Sequence, residues 1–380
     1  MTGWTAPDLS AVGRPKPGLG TPVNPPLERA STLLFARAED LYRTDVRGYG
    51  RHGSKVHDAL AEAIGLVEGG EHVTLAPSGL AACTLAILAF AKAGDHVLVT
   101  DSVYGPTRSF CLNTLPRFGI TPELYEPRAG AGLAERFREN TALVVLESPG
   151  SLTFEVQDIS AIVAACKGRG IRTVIDNTWS AGLTLKPLAL GVTASIQAAT
   201  KYYSGHSDVL LGAVTCADEA SGRRVARMRK SLGHAVSPDD AALVLRGMRT
   251  LAARFAQAER SALALAEMLQ GHSRVRQVLH PALPSHPDHA LWRTQFQGGG
   301  GLFGFTLDGS EDDALRVVDT LHHFGIGYSY GGYESLAIHC GPQLKREFDP
   351  GLDGPLVRLA CGTEPTATLL EDVRQALDSL

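Results

Sequence analysis

Apolar residues between positions 72 and 216 occur in short continuous runs, and segments with helical spacing separate these runs. Six runs have the length and composition of buried strands: residues 72–75, 96–100, 143–146, 172–175, 195–199 and 210–216. Between them, helical spacing of apolar positions is found in residues 80–93, 107–118 and 159–167. Continuous apolar strands that alternate with helices are typical of a parallel sheet covered on both faces. The pattern therefore predicts an α/β fold.

The chain before and after this central region has a different pattern of apolar and polar positions. Residues 1–30 are rich in proline and glycine and have no period, which predicts an extended arm rather than a packed element. Residues 57–67 have helical spacing that ends at Gly69-Gly70, a typical helix C-terminus. Residues 239–270 form one long helical pattern, and its length suits a connection between two domains.

The last part of the chain predicts a second, smaller α+β domain. Its strand-like runs and helical patterns are residues 301–307 (strand), 312–324 (helix), 335–340 (strand), 356–360 (strand) and a closing helix from Glu364. We therefore divide the chain into an N-terminal arm, a large domain and a C-terminal α+β domain. The predicted boundaries are residues 1–51, 52–246 and 247–380.

Charge and composition exclude several classes of protein. A net charge of −4 without a long Lys/Arg cluster argues against a nucleic-acid partner. No apolar run reaches the roughly 18–20 residues of a membrane span, and residues 1–26 lack an apolar signal-peptide core. We therefore expect a cytoplasmic protein that does not contact a membrane.

Cysteine, histidine and glycine narrow the candidate chemistry. The six cysteines lie far apart and mostly in apolar segments, which predicts reduced core residues rather than a zinc site. The histidines of residues 280–289 lie among prolines, which favours a loop over a metal site. The chain has 41 glycines in 380 residues, above the usual share of about 7%. Such an excess indicates tight turns or backbone that closely approaches a ligand.

Ligands of open α/β sheets bind beyond the carboxyl ends of the strands. Ser78, Gly79 and Leu80 follow one predicted strand and begin a helix, so the backbone N–H groups there could hold a phosphate. Ser78 could equally act only as a helix cap. Neither GxGxxG nor GxxxxGK[ST] occurs at this point, which disfavours a nicotinamide or P-loop enzyme.

Asp176 and Lys201 are the strongest candidates for chemistry. Asp176 ends a predicted strand and could cap the next segment or hold a cationic ring nitrogen. Lys201 follows the apolar residues 195–200, where burial would lower its pKa and make it a nucleophile or base; alternatively, its ammonium group reaches solvent from a strand end. A lysine that forms a Schiff base and an aspartate on a pyridinium nitrogen are what proteins contribute to pyridoxal phosphate (PLP) chemistry. Tyr104, after another predicted strand, could stack on the ring.

Five motifs resemble, in this order, those of the Cys/Met-metabolism PLP-dependent enzymes. They are YGR at 49–51, LVEGG at 66–70, VIDNTW at 174–179, ATKY at 199–202 and SGHSD at 204–208. The resemblance runs from about Gly20 to the last helix. It implies the PLP-dependent transferase fold of type I (aspartate aminotransferase-like), with a large, mostly parallel-sheet domain and a smaller α+β domain. Two longer stretches, ESPGSL at 147–152 and YSYGGYESL at 328–336, are similar to the bacterial cystathionine β-lyase branch of this family.

The resemblance implies a role for each residue of a cofactor site. Lys201 would form a Schiff base with PLP and then carry protons between Cα and the leaving group. Asp176 would keep the pyridine nitrogen protonated, and Tyr104 would stack on the ring. The residues implied in phosphate binding are Gly79, Leu80 and Thr200, together with Tyr49 and Arg51 of a neighbouring subunit. The resemblance thus implies a homo-oligomer with shared sites, a dimer of dimers, in which the N-terminal arm makes assembly contacts.

The same resemblance implies a substrate and a reaction. Arg358 would bind the substrate α-carboxylate, with Ser329 and Tyr330 nearby. The implied reaction is β-elimination of L-cystathionine to L-homocysteine, pyruvate and ammonia, which belongs to methionine biosynthesis by trans-sulfuration chemistry. However, Tyr330 stands where the β-lyases usually have Trp, and His52 stands where a second Arg is common. A broader lyase for cystine and other S-conjugates, a γ-acting enzyme and a non-catalytic, cofactor-bound regulator therefore remain open.

Overall fold

The computed structural model describes residues 3–380 and contains two β-sheets that are covered by helices. The strands are β1 His72–Ala76, β2 His96–Thr100, β3 Thr121–Tyr125, β4 Thr141–Glu147, β5 Arg172–Asp176, β6 Ala194–Gln197, β7 Gly212–Cys216, β8 Val275–Leu279, β9 Leu302–Leu307, β10 Phe324–Ile326, β11 Ser335–His339 and β12 Leu356–Ala360. The α-helices are α1 Lys55–Glu68, α2 Gly79–Phe90, α3 Gly105–Ser109, α4 Ile159–Lys167, α5 Glu219–Ser231, α6 Pro238–Met248, α7 Leu251–Gln270, α8 His289–Gln295, α9 Glu311–Thr320 and α10 Thr366–Asp378.

The larger sheet has seven strands in the order β1-β7-β6-β5-β4-β2-β3. Strands β2 to β6 pair in parallel, and β7 runs antiparallel to both β6 and β1. Every residue of β2 and β7 is buried, as expected for strands with helices on both faces. The predicted α/β fold with a mostly parallel sheet is confirmed.

The smaller sheet has five strands in the order β10-β11-β12-β9-β8. Only β10 and β11 pair in parallel, and the other neighbours are antiparallel. Buried side chains of α7, α9 and α10 share one apolar core with β9 and β12. This sheet and its helices form the smaller α+β part that the sequence predicts.

Three strands were not predicted from the sequence, namely β3, β8 and β10. All three lie at the edge of a sheet. An edge strand keeps part of its surface in solvent, so it has no need of a continuous apolar run. Strand β3 even contains Pro122, which edge strands tolerate because one side of the strand has no partner.

The prediction of one helix over residues 239–270 is wrong, because the chain turns between α6 and α7. The turn stays hydrogen-bonded through Arg254, whose guanidinium donates to the carbonyl oxygens of Gly247 (2.7 Å) and Tyr202 (2.8 Å). After the turn, Phe255 packs in the same core as α1, whereas Leu265 packs in the core of the smaller sheet. Helix α7 therefore bridges both cores. The domain boundary between residues 246 and 247 stays our proposal and falls within α6.

Two further predictions need correction. Residues 107–118 are helical but form no single α-helix: α3 continues as a π-helical turn over Phe110–Thr114 and a 3-10 turn over Leu115–Phe118. Residues 3–30 contain neither helix nor strand, as predicted, yet this segment is partly packed. Trp4 is buried, and its Nε1–H donates to Glu259 Oε2 on α7 at 3.0 Å.

Other predictions about side chains and loops are confirmed. The six cysteines are free and buried, and Gly69 ends α1 in the left-handed conformation with φ 78°. Most of residues 280–289 form a loop, and α8 begins only at His289. Within the described residues, no helix has both the length and the apolar character needed to cross a membrane.

Candidate active site

Lys201 lies four residues after β6, in the turns that lead out of the larger sheet. Its Nζ donates to Ser329 Oγ at 2.6 Å and lies 5.2 Å from the centre of the Tyr330 ring. Burial lowers the pKa of Lys201 to about 8, and the nearby Arg358 adds to the shift, while Asp176 opposes it. The amine is therefore neutral more often than an ordinary lysine near neutral pH.

Asp176 is the last residue of β5, the strand next to β6. Its Oδ1 accepts hydrogen bonds from the backbone N–H (3.0 Å) and the hydroxyl (2.5 Å) of Thr178. The Cys83 thiol is 3.6 Å from Oδ2. Burial raises the pKa of Asp176, although the bonds from Thr178 favour its charged form. Because neighbouring parallel strands end at one edge of the sheet, Asp176 and Lys201 lie at the same edge, and the charge of each affects the pKa of the other.

The N-terminus of α2 opens at this edge of the sheet. Ser78 caps the helix, since its Oγ accepts from Ala81 N–H at 3.1 Å. Gly79 packs so closely that a Cβ there would lie 2.5 Å from Ala198 Cβ, three residues before Lys201. Leu80, in the first turn, is 38% exposed. The close contact at Gly79 brings free N–H groups of a helix N-terminus, a typical phosphate-binding element, near the lysine segment.

Thr200 and Tyr104 extend the site on either side. Thr200 Oγ1 accepts from Leu211 N–H at 3.0 Å and is 3.2 Å from Leu211 O. The backbone N–H of Tyr104 donates to Glu147 Oε2 at 2.6 Å. Burial raises the pKa of the half-buried Tyr104 phenol, and Asp176 and other nearby acidic groups add to this shift.

Sequence reasoning placed Glu147 directly after a predicted strand and within a motif of the family, but assigned it no role in the site. Its register partner on β5 is Asp176, and burial together with that like charge raises the pKa of Glu147. The signal was available, because two acidic residues ended two consecutive predicted strands of a parallel sheet. The missing information was the register that places them side by side.

Arg358 and Ser329 reach the site from the smaller sheet. Arg358 lies on β12 and donates from Nη2 to Ser329 O at 3.1 Å. Its Nε is buried and has no hydrogen-bond partner among residues 3–380. A buried, unpaired guanidinium N–H is rare in folded proteins, and a bound carboxylate would satisfy it. Burial also lowers the pKa of Arg358.

The loop before β11 brings Ser329 and Tyr330 to the lysine. Ser329 adopts a left-handed backbone conformation with φ 108°, which is unusual for a residue other than glycine. The ring of Tyr330 packs edge-on against Tyr202, with the centroids 5.7 Å apart. The fold thereby fixes the positions of Ser329 and Tyr330, the two residues that contact the Lys201 amine.

Tyr49 and Arg51 are not brought to the lysine by this single chain. Tyr49 forms an isolated bridge with Thr32 and is 42% exposed. The Arg51 guanidinium lies 5.3 Å from the centre of the Tyr49 ring. Their predicted place in the site of a neighbouring subunit stays a prediction.

These residues fit PLP. The amine of Lys201, the carboxylate of Asp176 and the α2 N-terminus lie at one edge of the larger sheet. They match the aldehyde, ring nitrogen and phosphate of that cofactor. Two structural observations support this fit: the close packing of Gly79, which holds the α2 N-terminus beside the lysine segment, and the unpaired Nε of Arg358, which a carboxylate ligand would satisfy.

Comparison with known proteins agrees with this assignment. A sequence model of the family described as "Cys/Met metabolism PLP-dependent enzyme" matches residues 12–378. A protein of Rhizobium johnstonii named putative cystathionine β-lyase is 46% identical, over 93% of this chain and 90% of its own length. The cystathionine β-lyase of Bordetella avium is 42% identical, over 94% and 92%. The crystal structure of cystathionine γ-synthase from Xanthomonas oryzae pv. oryzae in complex with cystathionine has a TM-score of 0.91 and 32% identity, and the match covers 97% of this chain and 96% of that chain. The chain therefore belongs to the Cys/Met-metabolism PLP-dependent enzymes and uses PLP as its cofactor.

Proposed function

We propose that the protein is a carbon–sulfur lyase that eliminates homocysteine from L-cystathionine, with pyruvate and ammonia as the other products. The observation that carries the proposal is the amine of Lys201, which has a lowered pKa and is held by Ser329 beside Asp176. Relatives named cystathionine β-lyase at 42–46% identity support the choice of reaction.

We assign the cofactor contacts to residues of the larger sheet. Lys201 Nζ would bind the aldehyde carbon, Asp176 the ring nitrogen, and Tyr104 one face of the ring. The phosphate would lie at the N-terminus of α2, near Gly79, Leu80 and Thr200. When bound, PLP withdraws electrons from the substrate Cα and so makes its proton easier to remove.

Lys201 then acts as the acid–base group. With a pKa of about 8, its Nζ is neutral often enough near pH 8 to accept the Cα proton. The Cβ–S bond breaks with both electrons going to sulfur, and Nζ is placed to return a proton to that sulfur. Hydrolysis of the remaining three-carbon fragment consumes one water and yields pyruvate and ammonia.

Arg358 orients the substrate for these proton transfers. A guanidinium can bind a carboxylate through two parallel hydrogen bonds, and Nε of Arg358 has an N–H group free for one of them. Because Nη2 of Arg358 bonds to Ser329 O, the carboxylate would be held next to the residue that also holds Lys201. The Cα–H bond would thereby point towards Nζ.

A broader lyase that acts on cystine and other S-substituted cysteines is the second candidate. Tyr330, 5.2 Å from Lys201 Nζ, replaces the larger tryptophan of the β-lyases. His52, in place of a second arginine, removes one positive charge from a region that a distal carboxylate could use. The loss of this charge favours S-substituted cysteines without a distal carboxylate, such as S-methylcysteine, over cystathionine and cystine, which both carry one.

The first experiment incubates the purified protein and PLP with L-cystathionine and identifies the keto acid. Pyruvate with homocysteine is the expected result, whereas 2-oxobutyrate would overturn β-elimination in favour of γ-chemistry. The Lys201→Ala variant is the control and should lose all turnover. Comparing kcat/KM for cystathionine, cystine and S-methylcysteine then separates a dedicated cystathionine enzyme from the broader lyase.

We also propose, from membership in the family, that the active protein is a cytoplasmic dimer of dimers. In this assembly, Tyr49 and Arg51 of one subunit would complete the phosphate site of its neighbour. Their exposed position in the single chain is compatible with such a role.

A further inference from the structure

Arg346 joins the smaller sheet to the larger one. It lies in the segment between β11 and β12, and its side chain is only 7% exposed. Its guanidinium donates to Asp101 Oδ2 (3.2 Å), Thr153 Oγ1 (2.7 Å) and Glu155 Oε1 (2.7 Å). These three acceptors belong to segments that follow β2 and β4 of the larger sheet. One buried side chain thus fixes a connecting segment of the smaller sheet to two segments of the larger sheet.

Asp101 is the centre of this buried network. Its Oδ2 also accepts the backbone N–H groups of Glu347 (2.7 Å) and Phe348 (2.9 Å), and its Oδ1 accepts from Arg108 Nη2 at 2.9 Å. Burial raises the pKa of Asp101, but the bonds from Phe348 and Arg108 and the charge of Arg346 outweigh this and keep its pKa below the ordinary value. The carboxylates of Asp101 and Glu155 therefore pair with the guanidiniums of Arg108 and Arg346. Removal of Arg346 would leave one buried negative charge without its partner.

Both segments that the network joins lead directly into the active site. Asp101 is three residues before Tyr104, the residue assigned to the cofactor ring. On the other side, Arg346 precedes β12, which carries Arg358. The turn at Ser102 is also tightly packed: Ser102 O accepts from Ser151 N–H at 2.7 Å, and a Cβ on Gly150 would lie 2.4 Å from Ser102 Cβ. The turn before Tyr104 therefore keeps these contacts and the bond from Arg108 when Arg346 is lost, whereas the segment that leads to Arg358 loses its link to the larger sheet.

We propose that Arg346 is a positioning residue that sets where Arg358 lies relative to the cofactor site, and so controls affinity for the substrate α-carboxylate. The inference rests on the proposed function only in assigning the carboxylate to Arg358. All the cofactor contacts that we assign within one chain come from the larger sheet, whereas Arg358 comes from the smaller sheet. The sheets also share an apolar core, so loss of the polar link at Arg346 should not separate them but should displace Arg358, which weakens substrate binding and leaves cofactor binding intact.

The test replaces Arg346 by methionine, which keeps much of the volume and removes the charge and the donors. We expect KM to rise about tenfold or more, kcat to change less than about threefold, and the Kd for PLP to stay within about twofold. Titration with L-alanine, followed by cofactor absorption, should give a Kd raised by the same factor as KM. L-Alanine carries the α-carboxylate but no thioether, so this measurement does not depend on turnover.

Two further variants make the result decisive. Arg346→Lys keeps the charge but has no planar fork for three acceptors, so we expect an intermediate rise in KM; it also serves if Arg346→Met does not fold. Arg374→Met removes an exposed arginine that pairs with Glu371, and it should leave every parameter unchanged. An unaltered KM and L-alanine Kd in folded Arg346 variants, or a loss confined to PLP binding, would overturn the inference. If the wild type turned over no thioether, the proposed function would fail, while the L-alanine titration would still test Arg346.

Discussion

At the scale of single residues, the chemistry depends on how Lys201 is held. Its amine is in contact with one hydroxyl, Ser329 Oγ, and close to one aromatic ring, Tyr330. Ser329, which provides this hydroxyl, has a left-handed backbone conformation, and such strain persists only where the surrounding structure holds the residue. Burial and the Arg358 charge then lower the pKa of Lys201 to about 8.

The lowered pKa makes a prediction for the apoprotein. Only the neutral amine reacts with acylating reagents, so labelling of Lys201 should reach half its maximal rate near pH 8 and level off above it. A free lysine amine in the same tube should keep gaining reactivity up to about pH 10.4. Peptide mass spectrometry across a pH series gives both rates, and Lys201→Ala identifies the labelled peptide. Parallel pH profiles for the two amines would contradict the burial argument.

At the scale of elements, the site depends on a helix N-terminus that lies against a turn. Helix α2 begins at Gly79, and this glycine touches the segment just before Lys201. A side chain at this position would have to push apart the two elements that we assign to the phosphate and the aldehyde of PLP. The glycine is therefore required by close approach rather than by its backbone angles.

Gly79→Ala should weaken PLP binding. Overpacking a tight contact costs about 1–3 kcal/mol, and about 1.4 kcal/mol corresponds to a tenfold change in Kd, so we expect Kd to rise about 5- to 140-fold. Titration of the apoprotein with PLP, followed by absorbance, gives the value. Gly132→Ala is the matched control, because a Cβ there meets no atom within 4 Å. An unchanged Kd for Gly79→Ala would show that the contact between Gly79 and Ala198 has no part in PLP binding.

At the scale of the whole molecule, the candidate site lies between two sheets. One apolar core contains side chains of both sheets, such as Leu146 and Leu356, and each sheet also has a core of its own. Lys201, Asp176 and Tyr104 come from the larger sheet, and Arg358 and Ser329 from the smaller sheet and the loop before it. Helix α7 packs in the core around α1 and in the core of the smaller sheet. Arg346 links the two sheets close to the site. Substrate binding thus depends on the relative position of the two parts.

The proposed shared site predicts recovery of activity when two inactive variants are mixed. Lys201→Ala lacks the amine, and the double variant Tyr49→Phe/Arg51→Ala lacks the contacts that we assign to a neighbour's phosphate. In a mixed dimer, one site would contain Lys201 from one subunit and Tyr49 and Arg51 from the other. Random assembly should restore up to about one quarter of wild-type activity in the unseparated sample and up to about one half in an isolated mixed dimer.

Co-expression of differently tagged chains, followed by two affinity steps, isolates the mixed assembly for this assay. Each variant purified alone serves as the control and should have little or no activity. Absence of recovery in the mixed assembly would place Tyr49 and Arg51 in the site of their own subunit or outside it.

The sequence by itself determined the parts of this protein that depend on local pattern. Buried strands must be continuously apolar, so the sequence predicts the central strands. The end of α1 is also predicted, because Gly69 readily adopts the left-handed conformation that ends a helix. Lys201 and Asp176 stood out because each follows a predicted apolar strand and because together they match what proteins contribute to PLP chemistry. Their motifs also carried the family resemblance.

Only the tertiary structure decided the features that depend on distant contacts. Edge strands such as β3 bury too little to leave an apolar run, and the turn between α6 and α7 depends on Arg254 reaching the Tyr202 carbonyl. Register alone places Glu147 beside Asp176. Arg346 lies 245 positions from Asp101 along the chain, and no local pattern marks such a pair. These features arise because burial and hydrogen bonding are satisfied by whichever segments the fold brings together, not by neighbours in sequence.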